Sequence, residues 1–445
     1  MDDQNIVFVG LFASADSLKR LSICRGFLVV ENGKITKKGT PSEFETLKKS
    51  GTYSKFKIVH LNAGQFIMPG FVDCHTHAPQ FPNIGLGLDR PLLEWLAKYT
   101  FPLESRYGDV DFASSVYDKV VKRLLTNGTT TACYFGSLHL EGTVELAKSA
   151  IKHRQRALVG KVSMNLKNDA GYYNNTKKEL QEVETFVQKI LELKNELIQP
   201  IVTPRFAVSC DAELLTALAK ISKRYDCRIQ SHISENLSEI EYVLQQFPSC
   251  NSYADVYDKS GILNEKCIMA HAVHLTDDEI KLLSSRGVSI AHCPASNTRL
   301  KSGLCPVKKY LDSDITVGLG TDVAGGDSAT ILDAMRRTMD VSTHLELKGS
   351  ADYSLDWTAA FYLATLGGAK ALGLNNKIGS LKEGKDFDAL LIDMYAKDSA
   401  IDNYKSFEGA EDFDIGLIQR FVYLGDDRNI LQVYVKGNKV KDIMT

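Results

Sequence analysis

Short apolar runs alternate along the chain with longer stretches whose apolar residues recur at helical spacing. The runs at 71–77, 129–135, 157–164, 200–208, 228–233, 267–273, 288–293 and 316–322 read as eight buried strands. Helical periodicity falls between them at 111–126, 176–196, 211–224, 276–285 and 328–345. This alternation predicts βα units and a parallel sheet. The span from the first run to the last is about 250 residues, the usual length of a closed β/α barrel. A doubly wound open sheet is the alternative, but no G-x-G-x-x-G follows an early strand.

The two ends of the chain have a different texture. Residues 5–12 are mostly apolar, and 27–36 reads as a hairpin turning at Asn32-Gly33. Residues 388–393 and 431–440 repeat the pattern, with a turn placed at Gly437-Asn438. A few strands cannot close a core alone. Residues 1–66 and 383–445 are therefore predicted to form one small β domain together, and 67–382 the barrel.

Composition narrows the class. Of 445 residues, 44% are hydrophobic and 24% charged, the balance of a globular protein. A net charge of −2 leaves no footprint for nucleic acid or an anionic membrane. No apolar run approaches membrane-spanning length, and the first residues lack the basic start of a signal peptide. The nine Cys form no C-x-x-C, which suits reduced thiols in the cytosol.

The candidate chemistry sits at predicted strand ends. In Phe71-Val-Asp-Cys-His75-Thr-His77, strand alternation sends both imidazoles to one face, about 7 Å apart. His232 lies near the end of the fifth strand, His271 near the end of the sixth, and Asp322 ends the eighth. The mouth of a β/α barrel is built from such positions. Three His and one Asp around a divalent ion leave room for a water, as hydrolytic metal sites require. Glu235, in Ser231-His-Ile-Ser-Glu235, either moves protons beside the metal or is an acid in a helix's first turn. Arg205 has no nearby acid in the sequence, and either recognises a carbonyl or anion or forms a rim salt bridge. Gln80 offers an amide donor and acceptor suited to a lactam-like edge, or is a solvated loop residue.

His60, His139, His153, His274, His292 and His344 read as structural or surface residues, and Cys133 and Cys293 as buried small hydrophobes. The turn Gly320–Gly326 lacks the Lys-Ser/Thr of a phosphate loop, and the cytidine-deaminase signature is absent.

Taken together, PGFVDCHTH (69–77), the strand-end His residues and Asp322 resemble the amidohydrolase superfamily. Within it the chain is most similar to the eukaryotic-type guanine deaminase family. The stretches that carry this are PLLEWLAKYTFPLE (91–104), NGTTTACYF (127–135), PIVTPRF (200–206), QSHISEN (230–236), SIAHCP (289–294), GLGTDVAGG (318–326) and YLGDDRNI (423–430). Local departures are Ala295, where the family often has Asn, and Asp327 after Gly326. The resemblance implies an α/β fold, a metal-dependent (β/α)8 TIM-type barrel with a small β-sandwich domain built from both termini. It implies one zinc ion per subunit held by His75, His77, His232 and Asp322, with His271 touching the water or the oxyanion. Glu235 would shuttle protons, while Gln80, Arg205 and the Phe206 backbone would recognise the purine. The implied reaction is guanine to xanthine and ammonia, by a cytosolic homodimer of purine catabolism. The rival readings are another aminohydrolase of the superfamily, acting on adenosine-like, oxidised-purine or pyrimidine substrates, and a catalytically silent scaffold, which would be expected to have lost metal ligands.

Overall fold

The computed structural model describes residues 5–402 and 412–443; residues 403–411 and both chain ends, parts of the predicted terminal domain, lie outside them. Asn5–Ser17 pairs antiparallel with Arg20–Glu31, which pairs in turn with Lys34–Gly39. Asn32 and Gly33 both take positive φ, as a type I′ turn requires. The first strand is long enough to pair with Lys57–His60 along one half and Gln65–Pro69 along the other. Ala389–Asp393 then adds antiparallel to Gln65–Pro69, followed by Ile430–Val435 and Asn438–Asp442. Both ends of the chain thus share one eight-stranded sheet. The last turn is shifted one residue from expectation: Lys436 and Gly437 take the positive φ angles. Asp388 Oδ1 accepts the Lys436 amide at 2.7 Å, and the Gly437 amide donates to Phe387, which sets that register.

Gly70 separates sheet from barrel. A Cβ there would lie 2.2 Å from Thr130 Oγ1, so only glycine lets the chain turn so close to the next strand. The parallel strands follow in chain order: Phe71–His77, Thr129–Phe135, Arg156–Gly160 (continued by Val162–Ser163), Ile198–Pro204, Arg228–Ile233, Cys267–His271, Ser289–His292 and Val317–Leu319. Each pairs with its neighbour. Asp322 N donates to His75 O at 2.9 Å and His77 N to Val323 O at 3.0 Å, joining the last strand's end to the first. The predicted helices form with side-chain caps at their starts: Asp109 before Val110–Thr126, Asn175 before Thr176–Glu192, Asp211 before Ala212–Tyr225, Thr276 before Asp277–Ser285 and Thr330 before Ile331–Leu347.

Sheet and barrel are tied by a buried ion cluster. Arg156, at the start of the third barrel strand, donates to Asp388 Oδ2 through Nε at 2.9 Å and to Asp386 Oδ2 through Nη2 at 2.9 Å. Removing a buried cation strands both carboxylates away from water. Arg156→Met should therefore lower stability by about 3–5 kcal/mol, measured by urea unfolding; a loss below about 1 kcal/mol would match an exposed pair instead.

Candidate active site

The strand ends deliver their polar residues to one place. His75 and His77 close the first strand, where pairing slips between Asp73 and Thr76. His232 is the penultimate residue of the fifth strand and His271 the last of the sixth. Asp322 lies past the short eighth strand rather than in it, on a turn where its φ is +45°. His271 (φ +73°), Ala272 (+50°) and Ser234 (+47°) are likewise left-handed, so three strand ends leave the pleat to reach inward.

Their nitrogens and oxygens crowd together. His75 Nε2 lies 3.2 Å and His77 Nε2 3.5 Å from Asp322 Oδ1, and His77 Nε2 lies 3.1 Å from His232 Nε2. In each of two overlapping sets, His75–His77–Asp322 and His75–His232–His271, the ligating atoms fall within 4.8 Å of one another. His232 Nδ1–H donates to Arg205 O at 2.6 Å, and His271 Nδ1–H donates to Asn297 Oδ1 at 2.8 Å. Both rings therefore turn Nε2 inward; that of His232 is bare, while against burial the Glu235 and Asp322 carboxylates shift the His271 pKa upward. Burial lowers the pKa of His75, His77 and His232, reinforced for the last two by neighbouring imidazoles, so these rings are neutral. His75 Nε2 and His77 Nδ1 are buried without a hydrogen-bond partner. Opposed lone pairs at such distances repel unless a cation lies among them, and imidazole nitrogen with carboxylate oxygen is a zinc-type donor set. The residues fit a metal ion.

Two carboxylates flank the nitrogens and differ in charge. Burial would push Asp322 up, but the His75 ring, 3.2 Å from its Oδ1, and then His271 hold it at about 2. Burial raises Glu235 to about 7 against the pull of His271. Glu235 Oε2 lies 3.4 Å from His271 Nε2, and Oε1 accepts Ser302 Oγ–H at 3.1 Å. Glu235 precedes the cap Asn236 of helix Leu237–Gln246, so it is not the first-turn acid. That role belongs to Glu239, which accepts the Glu235 and Asn236 amides.

A cavity of about 30 Å³ opens beside these groups. Its polar wall is His77, Gln80, Arg205, His232, Glu235, His271 and Asp322; Leu92, Trp95, Leu96, Phe206 and Leu300 supply the apolar part. Arg205 is ion-paired after all, and by a buried acid: Nη1 donates to Glu104 Oε2 at 2.6 Å and Nη2 to Oε1 at 3.1 Å. Gln80 is buried rather than solvated, donating through Nε2 to Glu104 Oε1 at 2.9 Å and accepting Ala324 N at 3.2 Å. Sequence reasoning missed Glu104, which lies 101 positions before Arg205; a carboxylate ending the apolar run 91–104 was the available signal. It also missed Asp73, whose carboxylate accepts His75 N, Thr321 N and Thr321 Oγ1–H. Asn297 and Ser302, behind His271 and Glu235, carried no signal beyond being polar.

The remaining histidines stand apart from this cluster. His153 contacts Asp118, His139 the Ser105 carbonyl and His274 the Ser302 carbonyl. His292 is fully buried, both ring nitrogens lack partners, and burial drives its pKa to about 3. Cys133 and Cys293 are buried, with thiol pKa values pushed up by burial. Asp327 pairs with Arg299 and Arg337 and does not line the cavity. A larger cleft of about 590 Å³ lies between helix Ala212–Tyr225 and residues 258–266, away from the histidines.

The amidohydrolase family model matches residues 66–440, from the strand Gln65–Pro69 through the whole barrel and into the C-terminal strands of the terminal sheet. Guanine deaminase of Mus musculus is 46% identical over 439 residues, covering 98% of this chain and 96% of that protein. Guanine deaminase of Dictyostelium discoideum is 47% identical over 377 residues, covering 85% of this chain and 83% of that one. Among solved structures, guanine deaminase from C. acetobutylicum with guanine in its active site superposes with a TM-score of 0.88 at 36% identity. That match covers 98% of this chain and 99% of the other. A barrel closed by strand-end histidines, matched along nearly its full length, leaves no ambiguity of lineage: the chain belongs to the amidohydrolase family.

Proposed function

We propose that the protein is a guanine deaminase, hydrolysing guanine to xanthine and ammonia with one zinc ion held by His75, His77, His232 and Asp322. One observation carries the reading: a buried set of inward-facing lone pairs opens onto a wall where a paired Arg205 and an oriented Gln80 await a flat polar ligand. Relatives 46–47% identical that bear this name support it. A zinc ion held by this set would lower the pKa of a water toward ~7 and so would supply hydroxide at neutral pH.

The chain's own groups do the rest. Asp322, ionised well below neutrality, accepts the proton that the attacking water loses as its oxygen bonds to C2. Glu235, titrating near 7, gives a proton to the adjacent ring nitrogen N3. His271, steadied by Asn297, hydrogen-bonds the oxygen arriving at C2. The proton on Asp322 passes to the exocyclic nitrogen, the C2–N bond breaks and ammonia leaves, while the new C2 hydroxyl returns its proton to Glu235 and leaves the C2 carbonyl and N3–H of xanthine. Arg205 and Gln80 hold the far edge of the base, beside the Phe206 backbone. A homodimer in the cytosol, serving purine catabolism, belongs to the same proposal and rests on the family resemblance.

Purified metal-loaded protein given a panel of purines should release ammonia from guanine and form xanthine; release from another purine with none from guanine would overturn the reading. Glu235→Gln should keep its metal and lose about 10²–10⁴-fold in turnover; a rate near wild type would remove Glu235 from proton transfer. Elemental analysis of His75→Ala should show metal well below the wild-type ratio, and an unchanged ratio would count against His75 as a ligand.

A further inference from the structure

Neither Arg205 nor Gln80 is free to choose which atoms it presents to the cavity. Glu104 is fully buried and does not line the pocket. Its two oxygens accept one N–H from each terminal nitrogen of Arg205 and one N–H from Gln80. A guanidinium carries five N–H groups, so those left over can only donate. Gln80 is pinned at both ends, its nitrogen by Glu104 and its oxygen by the Ala324 amide, and so cannot exchange donor for acceptor. Phe101, three residues before Glu104, lies under the guanidinium with its ring centroid 5.1 Å away. Leu92, Trp95 and Leu96, earlier in the same stretch, roof the cavity.

We infer that Glu104 is a positioning residue that holds Arg205 and Gln80 as a hydrogen-bond-donating wall and thereby selects a purine with oxygen rather than nitrogen on C6. The inference rests on the guanine reading above. A C6 carbonyl accepts from this wall. A C6 amino group brings donors to donors and leaves buried groups unpaired, which a binding site rejects strongly.

The test uses the metal-loaded full chain with guanine and 2,6-diaminopurine, which share the C2 amino group but carry oxygen or nitrogen on C6. Glu104→Gln should raise KM for guanine about tenfold or more while kcat, set at the metal end, changes less than about threefold. The preference for guanine over 2,6-diaminopurine should fall by a similar factor, read from inhibition constants where turnover is too slow. Glu104→Asp keeps the charge but shortens the reach, and should give a smaller loss in the same direction. Thermal unfolding of each variant identifies folded protein. Wild-type KM and preference in either folded variant would overturn the inference, as would an equal fall in kcat for both bases. Insolubility of both variants would assign Glu104 to folding and overturn it too. Wild-type turnover of guanine is the separate control: its absence defeats the guanine reading, whereas normal turnover beside unaltered variants defeats this inference alone.

Discussion

The amide of Asp322 donates to the carbonyl of His75, and the amide of His77 to the carbonyl of Val323. These bonds join the end of the eighth barrel strand to the first, and three of the four residues they link, His75, His77 and Asp322, belong to the candidate metal site. Asp73 reinforces the seam from beneath, accepting His75 N at 3.2 Å, Thr321 N at 3.1 Å and Thr321 Oγ1–H at 2.6 Å. Burial pushes its pKa up to about 7, and those three donors oppose the shift. Closing the barrel and setting the separation of His75, His77 and Asp322 are one event. Loosening the site means opening a ring that every other strand pair holds shut.

Burial then acts differently on groups a few ångströms apart. It drives His75, His77 and His232 neutral, leaving lone pairs that in a low dielectric call for a cation, whereas His271, facing Glu235 and Asp322, is shifted upward. Asp322, against His75 and His271, stays ionised in spite of it. Glu235 has one such neighbour, His271, and repulsion from Asp322 and Glu239, so it titrates near neutrality. Two carboxylates with separated pKa values in one pocket suit the proposed division between taking and returning protons.

This division explains what could be read from the chain beforehand. Strand ends are legible because period-two alternation and barrel topology say where they go, and His75, His77, His232, His271 and Asp322 all meet there. The distinction between Glu235 and Glu239 was not legible, since it depends on which residue caps the helix, and Asn236 takes that place. Glu104 was hidden for a topological reason: it follows a π-helical turn, Leu96–Thr100, that breaks the helical period, and its partner Arg205 lies on a distant strand end. Asp73 was hidden by its neighbours, an acid in a strand read only for its histidines. The turn at Lys436-Gly437 slipped one residue because a distant side chain, Asp388, decides the register.

Two anchorages therefore serve one pocket. The metal end is fixed by the barrel seam, whose strength comes from backbone pairing around the ring. The recognition end is fixed by the stretch from Leu92 to Glu104, which lies outside the ring and reaches the wall through one carboxylate and one aromatic ring. On the proposed reading, changes in that stretch would alter which base is held without moving the candidate metal ligands, whereas a change at the seam would disturb both. The local departures fit this separation: Asp327 is engaged by Arg299 and Arg337 outside the cavity, and Ala295 packs toward Gly326. Among the described residues, neither is one of the groups that hydrogen-bond the seam or the Glu104 carboxylate.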